Sequence, residues 1–393
     1  MRNVYIFGAG MTKFGLYNGI KLSEKSSHEL GKEACLKAID YAGINHNEIE
    51  GAFCGTVASQ PTCAQMVLSF CGISGIPTYN HENGCASSSS ALKHAWESVA
   101  HGICDTAIVF GVECWSHLMK TNGAALAGMA SPPPGNNLNQ DVAGAFGPAL
   151  LAMVGRAHMD KYGTTVEQFA KVSVKNKRNA VMNPNAQFRK SVTIEEVLNS
   201  KMICDPLTKL QCCPNTDGAA AMIIGTGDIA RKHTAKPVKI EVITQLSSPY
   251  KGLAGDLSGF KCFVDASKQA YNLCGIGPED LDVVEVHDDF SILEVVAYED
   301  IGLCNRGEGG EFIDKGLSDY GGKVVVSPSG GLLGKGHPMG ATGVAQILEL
   351  FWQLRGECGE RQVKDARVGL AHNGGGIGEG FEPGATTITI VSI

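Results

Sequence analysis

Two stretches of this chain repeat one another. Ala34, Ala38, Gly43 and Ile44 recur at one constant spacing as Ala266, Ala270, Gly275 and Ile276, and Glu48-Ile49 recurs at that spacing as Asp280-Leu281. Each copy reads as an amphipathic helix stopped by glycine, then a turn, then a strand, Ile49 to Cys54 in one copy and Leu281 to Val286 in the other. A small-residue helix comes later in each half, from Ala86 and from Gly340. A strand follows each, Thr106 to Gly111 and Val368 to Ala371. Three corresponding elements in one order indicate duplication. Two halves of alternating strand and helix imply mixed α/β sheets covered by helices.

Between the halves lies a stretch of another character, residues 115–214. It opens with Ala, Gly and Met, passes through Pro132-Pro133-Pro134-Gly135-Asn136-Asn137, and shows helical patterning from Val166 to Val181. A structureless connection of ~100 residues is far outside the usual loop lengths, so we read it as an insertion that caps the mouth of an active site. The buried strand Asp217 to Ile224 then returns to the first half. The expected division is 1–114 with 215–235, the insertion 115–214, and 236–393.

With 393 residues, 44% of them hydrophobic and 19% charged, the chain is too apolar for disorder. Its net charge of −7 does not suit a polyanion surface, so nucleic acid is not an expected partner. No apolar run is long enough to span a membrane, and the start Met1 to Gly8 reads as a strand running into glycines, not a signal peptide. The 14 cysteines are scattered through apolar segments without CxxC pairing. They read as reduced thiols of a cytoplasmic protein, with no structural metal site. Gly8-Ala9-Gly10 follows a strand but lacks the third glycine of a dinucleotide fingerprint, so those glycines are assigned to close backbone turns.

Four segments carry candidate chemistry. Cys85 stands in Asn83-Gly84-Cys85-Ala86-Ser87, where a glycine turn and a small-residue helix would set a thiol in the first helical turn. The partial positive charge there would favour thiolate. His337 lies in Gly334-Lys335-Gly336-His337-Pro338-Met339-Gly340, so many glycines around one histidine suggesting backbone that approaches a ligand. His287-Asp288-Asp289-Phe290 ends the repeated strand of the second half, where open α/β sheets place ligand groups. One of its acids is expected to cap the next helix, leaving the other acid or His287 to face a pocket. His372-Asn373-Gly374-Gly375-Gly376 ends the last strand but one. Its glycine amides would suit an oxyanion and His372 a proton, with a plain glycine turn as the competing reading.

Taken together, these motifs resemble the thiolase superfamily over essentially the whole chain, most closely the sterol-carrier-protein type and its archaeal and bacterial relatives. The resemblance rests on Asn83-Gly84-Cys85-Ala86-Ser87, His287-Asp288 with Phe290, Gly336-His337-Pro338-Met339-Gly340-Ala341-Thr342-Gly343, and His372-Asn373. It implies a five-layered αβαβα fold. It also implies a Claisen exchange in which Cys85 is acylated by a 3-oxoacyl thioester and His337 accepts its proton. The enolate oxygen would be held by His337 and His287, where ordinary thiolases carry asparagine. The acyl-enzyme oxygen would lie between the amides of Cys85 and Gly375, or of neighbours such as Gly374.

The sequence departs from the family pattern at the second acid/base. Ordinary thiolases place a cysteine near His372, and the sterol-carrier type places one where Asp289 stands here. Asp289 or His372 is therefore expected to move that proton, Asp289 needing burial to stay protonated. Coenzyme A is implied as cosubstrate, with no bound cofactor. The expected assembly is a homodimer or dimer of dimers, joined in some relatives by a small zinc-ribbon/OB-fold partner. Acetoacetyl-CoA is the default substrate, and a branched or aryl 3-oxoacyl-CoA such as an aroylsuccinyl-CoA is the variant. Other readings are a decarboxylating ketosynthase-like enzyme, a C-acetyltransferase and a non-catalytic scaffold subunit.

Overall fold

The computed structural model describes residues 1–17, 25–116, 147–247, 256–378 and 382–393. In chain order its strands are β1 (Val4–Met11), β2 (Gly51–Gly55), β3 (Thr78–His81), β4 (Thr106–Cys114), β5 (Met202–Cys204), β6 (Leu207–Thr208), β7 (Asp217–Thr226), β8 (Val238–Leu246), β9 (Val283–Glu285), β10 (Val325–Val326), β11 (Val368–Ile377) and β12 (Pro383–Ser392). Ten of them form one ladder in the order β10-β9-β11-β12-β8-β1-β7-β4-β2-β3, and β5 and β6 pair separately.

That order is a palindrome about the β8–β1 seam. From the seam outward each half runs through two antiparallel pairings and then two parallel ones. Across the seam only Val4–Ile6 and Val238–Ile240 face each other, antiparallel. The duplication legible in the sequence is therefore a duplicated five-stranded unit.

Side-chain alternation sorts the layers. On β7, Ala220, Met222 and Ile224 turn to one core, whereas Ala219, Ala221 and Ile223 turn to another. The first core holds the Ser87–Ala100 and Thr342–Arg355 helices, which lie against each other and against strands of both halves. The second packs the Ser27–Ala42 and Cys63–Phe70 helices on the outside of the first half. A third packs the Lys261–Cys274 and Ser291–Asp300 helices outside the second half. Outer helices, half-sheet, central helices, half-sheet and outer helices make five layers, as expected.

The central layer explains the run Ser87-Ser88-Ser89-Ser90. A Cβ on Gly55 would meet the Ser88 amide at 2.2 Å, and one on Gly343 would meet the Ser89 amide at 2.6 Å. Only small residues let the two central helices approach this closely, and Ser88 Oγ accepts from the Val344 amide at 3.1 Å. Gly10 belongs to the same class of contact, since its Cβ would strike Ala34 O at 2.2 Å. The glycines of β1 thus serve strand–helix packing rather than a turn.

The Val166–Val181 helix forms as the patterning indicates, capped by Thr165 and Gln168. It packs on the Ser291–Asp300, Gly309–Asp314 and Gly331–Gly334 helices. The segment Pro132-Pro133-Pro134-Gly135-Asn136-Asn137 lies outside the described residues. β11 runs on to Ile377, with Gly374 opposite Thr386 and Gly375 opposite Ala385. The glycine run after His372 is therefore strand, not turn, because β12 pairs with Gly374 and Gly375 and again with Ile377.

Candidate active site

The two central helices begin at the same end of the layer, and the residues just before them meet. Cys85 precedes the Ser87–Ala100 helix, whose N-cap is Ala86, and so sits before the first turn rather than in it. Its Sγ lies 3.1 Å from His337 Nε2. His337 Nδ1 lies 2.8 Å from Thr342 Oγ1, whose hydroxyl in turn reaches Pro338 O at 3.1 Å. This chain assigns the Nδ1–H tautomer, which leaves the Nε2 lone pair facing the thiol. The His337 amide donates to Thr216 Oγ1 at 2.9 Å, and buried Glu113 accepts from the amides of Val57, Ala58 and Gly340. Burial raises the Glu113 carboxyl to about 7.

Burial dominates the electrostatics. It pushes the Cys85 thiol well up, with Asp289 adding to the effect, and it pushes His337 well below its ordinary range. The expectation that the helix start would favour a resting thiolate is corrected. The resting pair is a neutral thiol and a neutral imidazole, because desolvation outweighs one helix terminus.

His287 stands edge-on to His337, ring centroids 5.1 Å apart. Its Nδ1 lies 2.9 Å from Asn373 Nδ2, so Nδ1 accepts and Nε2 carries the hydrogen. Asn373 is itself held by Ser89 Oγ at 2.8 Å. The donor atoms of Cys85, His287 and His337 all lie within 4.8 Å of one another, the one such trio of cysteine, histidine or acidic side chains among the described residues. Burial lowers His287 to about 3, which keeps it a neutral donor.

The two acids after His287 part company, and neither side chain caps the Ser291–Asp300 helix. Asp288 turns inward and accepts from the Leu332 amide at 2.7 Å and from Asn176 Nδ2 at 2.6 Å. Asn176 also donates to Glu294 at 2.6 Å, and Lys175 pairs with Glu294 at 2.8 Å. Asp289 faces a cavity of about 200 Å³ together with Cys85, His287 and His372. Its Oδ1 has no partner among the described residues, and burial raises its carboxyl to about 7.

His372 lies under the same cavity, its ring 3.7 Å from that of Phe263. Nδ1 accepts from the His287 amide at 3.2 Å, and burial lowers the ring to about 3. The end of β11 presses on the Cys85 turn, for a Cβ on Gly375 would fall 1.9 Å from Asn83 O and 2.5 Å from the Ala86 amide. Thr342, Thr216 and Asn176 were not singled out by the sequence reading. Thr342 stood in view inside the Gly336 to Gly343 motif. Asn176 had no local signal, because its partners come from another part of the chain.

Comparison with known proteins identifies the family. The family profile described as "Thiolase, N-terminal domain" matches residues 4–228, and "Thiolase C-terminal domain-like" matches 250–382. The chain belongs to the thiolase family. Sterol carrier protein 2 of Bos taurus is 38% identical, over 99% of this chain and 72% of that protein. An acetyl-CoA acetyltransferase of Methanothermobacter thermautotrophicus is 39% identical over 96% of this chain and 97% of its own. Benzoylsuccinyl-CoA thiolase subunit BbsB of Thauera aromatica is 37% identical over 95% of both. Among solved structures, the Ltp2-ChsH2(DUF35) aldolase superposes with a TM-score of 0.81 at 26% identity, over 98% of this chain and 97% of the other. This thiolase is accordingly an acyltransferase, of a family that uses coenzyme A as cosubstrate. No helix among the described residues is long and apolar enough to cross a membrane.

Proposed function

We propose that this thiolase cleaves or forms a 3-oxoacyl-CoA through an acyl group carried on Cys85. The observation that carries the reading is the 3.1 Å contact between Cys85 Sγ and His337 Nε2, with Thr342 holding the other ring nitrogen. In the cleavage direction Cys85 Sγ attacks the 3-oxo carbon while His337 takes the thiol proton. The C2–C3 bond breaks, and the electron pair forms the enolate of the shorter acyl-CoA. Its oxygen is held by the Nε2–H groups of protonated His337 and of His287. Asp289, protonated, gives its proton to the enolate carbon. It then takes the proton of an incoming CoA thiol, which removes the acyl group from Cys85 as His337 returns the thiol proton.

Asp289 suits this role better than His372. A carboxyl poised near 7 exchanges a proton in both directions at neutral pH. His372 uses Nδ1 to accept the His287 amide and is too weakly basic to take a proton there. The acyl-enzyme oxygen would lie at the Cys85 and Gly375 amides, a placement supported by the close approach of β11 to that turn.

Two features bear on assembly. Met66, Phe70 and Tyr79 are exposed around the edge strand β3, which supports a homodimer through that edge. Relatives named as a subunit and as a DUF35 complex support a second, non-identical partner.

Intact-protein mass spectrometry after mixing with acetyl-CoA, acetoacetyl-CoA and benzoyl-CoA tests the reading. Wild type should gain one acyl mass and Cys85→Ala none. No adduct from any thioester, alone or with the partner subunit added, would leave the scaffold reading in its place.

A further inference from the structure

The cavity beside Cys85 is larger and more aromatic than a two-carbon acyl group requires. Its walls include Phe260, Phe263, Phe290, Leu293 and Ala297, and it measures about 200 Å³. A cavity of about 150 Å³ with apolar walls already admits benzene. An acetyl group on Cys85 would leave most of the space empty and most of the aromatic surface without a partner.

The same cavity holds a polar group that the proposed chemistry leaves idle. His372 is 2% exposed and lines the cavity, yet its Nε2 has no hydrogen-bond partner among the described residues. The His287 amide donates to Nδ1 at 3.2 Å, so the neutral ring carries its hydrogen on Nε2. Phe263 lies against the ring and fixes its plane. A buried N–H donor without an acceptor is unfavourable, and a ligand with an acceptor atom would satisfy it.

We propose that the acyl group this thiolase loads on Cys85 is ring-sized and carries a hydrogen-bond acceptor, the ring filling the aromatic cavity and the acceptor meeting His372 Nε2–H. The inference rests on the acyl-Cys85 reading above and names its substrate class. His372 then acts as a specificity residue that touches the substrate away from the reacting carbon.

The test measures initial rates of Cys85 acylation by intact mass, each normalised to the thioester's rate with a free thiol. The probes are acetyl-CoA, benzoyl-CoA and the three pyridinecarbonyl-CoA isomers, which match benzoyl in size and add one acceptor nitrogen. In Ala297→Leu and Leu293→Trp, which fill the cavity, the benzoyl-to-acetyl ratio should fall at least tenfold below wild type. The best pyridine isomer should outpace benzoyl about tenfold in wild type. That advantage should vanish in His372→Phe and persist in His372→Gln, which keeps a donor. Folding of each variant is checked by thermal denaturation, and the two cavity variants cover one another should either fail to fold. Acetyl loading with ratios indifferent to cavity filling, or a pyridine advantage that survives His372→Phe, overturns the inference and leaves the acyl-Cys85 reading intact. No loading of wild type by any thioester overturns both.

Discussion

The two halves share one strand order and one pair of matching central helices, yet they divide the work unequally. In the first half, the turn before the central helix carries the thiol, and the neighbouring strand β2 ends in Cys54-Gly55 against the serine run. In the second half, the corresponding turn carries His337, and the matching strand β9 leads into His287, Asp288 and Asp289. The buried ionisable groups around the site are shared unevenly. Glu285, Asp288, Glu294 and Lys335 belong to the second half, Lys175 reaches in from the segment between the halves, and Glu113 comes from the first half. On the proposed reading, after a duplication one copy keeps the group that becomes covalently bound, while the other collects the groups that move protons. A shared backbone frame brings both to one point because the central helices start side by side.

Three measurements would break or sharpen this contrast. The largest effect is expected at Asp289. Asp289→Asn should reduce turnover by about 10²–10⁴-fold while Cys85 still loads from a simple acyl thioester. The sign of the pH effect follows from its raised carboxyl. The acid that protonates the enolate is present below about 7 and disappears above it, so that step slows as pH rises through 7 in the wild type. Rapid-mix measurement of enolate protonation should lose this dependence in the asparagine variant. Equal loss of loading and turnover would refute the division of roles.

A smaller effect concerns stability. Asn176→Ala removes the amide that bridges Asp288 and Glu294. Leaving buried carboxylates short of a partner should destabilise the protein by about 2–4 kcal/mol in denaturant titration. A change under about 0.5 kcal/mol, the range of an ordinary surface substitution, would show that the second half does not depend on the insertion. The smallest effect separates the two repeated outer helices. Ser26 caps the Ser27–Ala42 helix in a capping box with Glu29, whereas the Lys261–Cys274 helix starts after Phe260 and its first amides, Lys261 and Cys262, donate to the distant Glu382 at 3.1 and 3.0 Å. Ser26→Ala should cost about 1 kcal/mol, a loss of a local cap for which the second copy has only a long-range counterpart.

Much of this was legible in the sequence because it depends on local pattern. The repeated helix appears in both copies, each stopped by a left-handed glycine at its C-terminus, Gly43 and Gly275. Cys85 and His337 stood out because glycines and small residues surround them for steric reasons. What local pattern does not carry is the direction of a side chain among distant partners. Nothing in His287-Asp288-Asp289 told which acid would turn inward, because the Leu332 amide and Asn176 decide it. The helix-start argument for a Cys85 thiolate failed for the same reason, since burial is set by the whole fold.

The place of β7 has a consequence for how the chain is made. It lies between β1 and β4 and pairs with both, yet it is synthesised roughly a hundred residues after β4. At ~5–20 residues per second, the ribosome takes on the order of 5–20 s to deliver it. Until then β1 and β4 emerge with open edges and no strand to join them. The longest exposure to wrong partners during synthesis therefore falls on the half that bears Cys85.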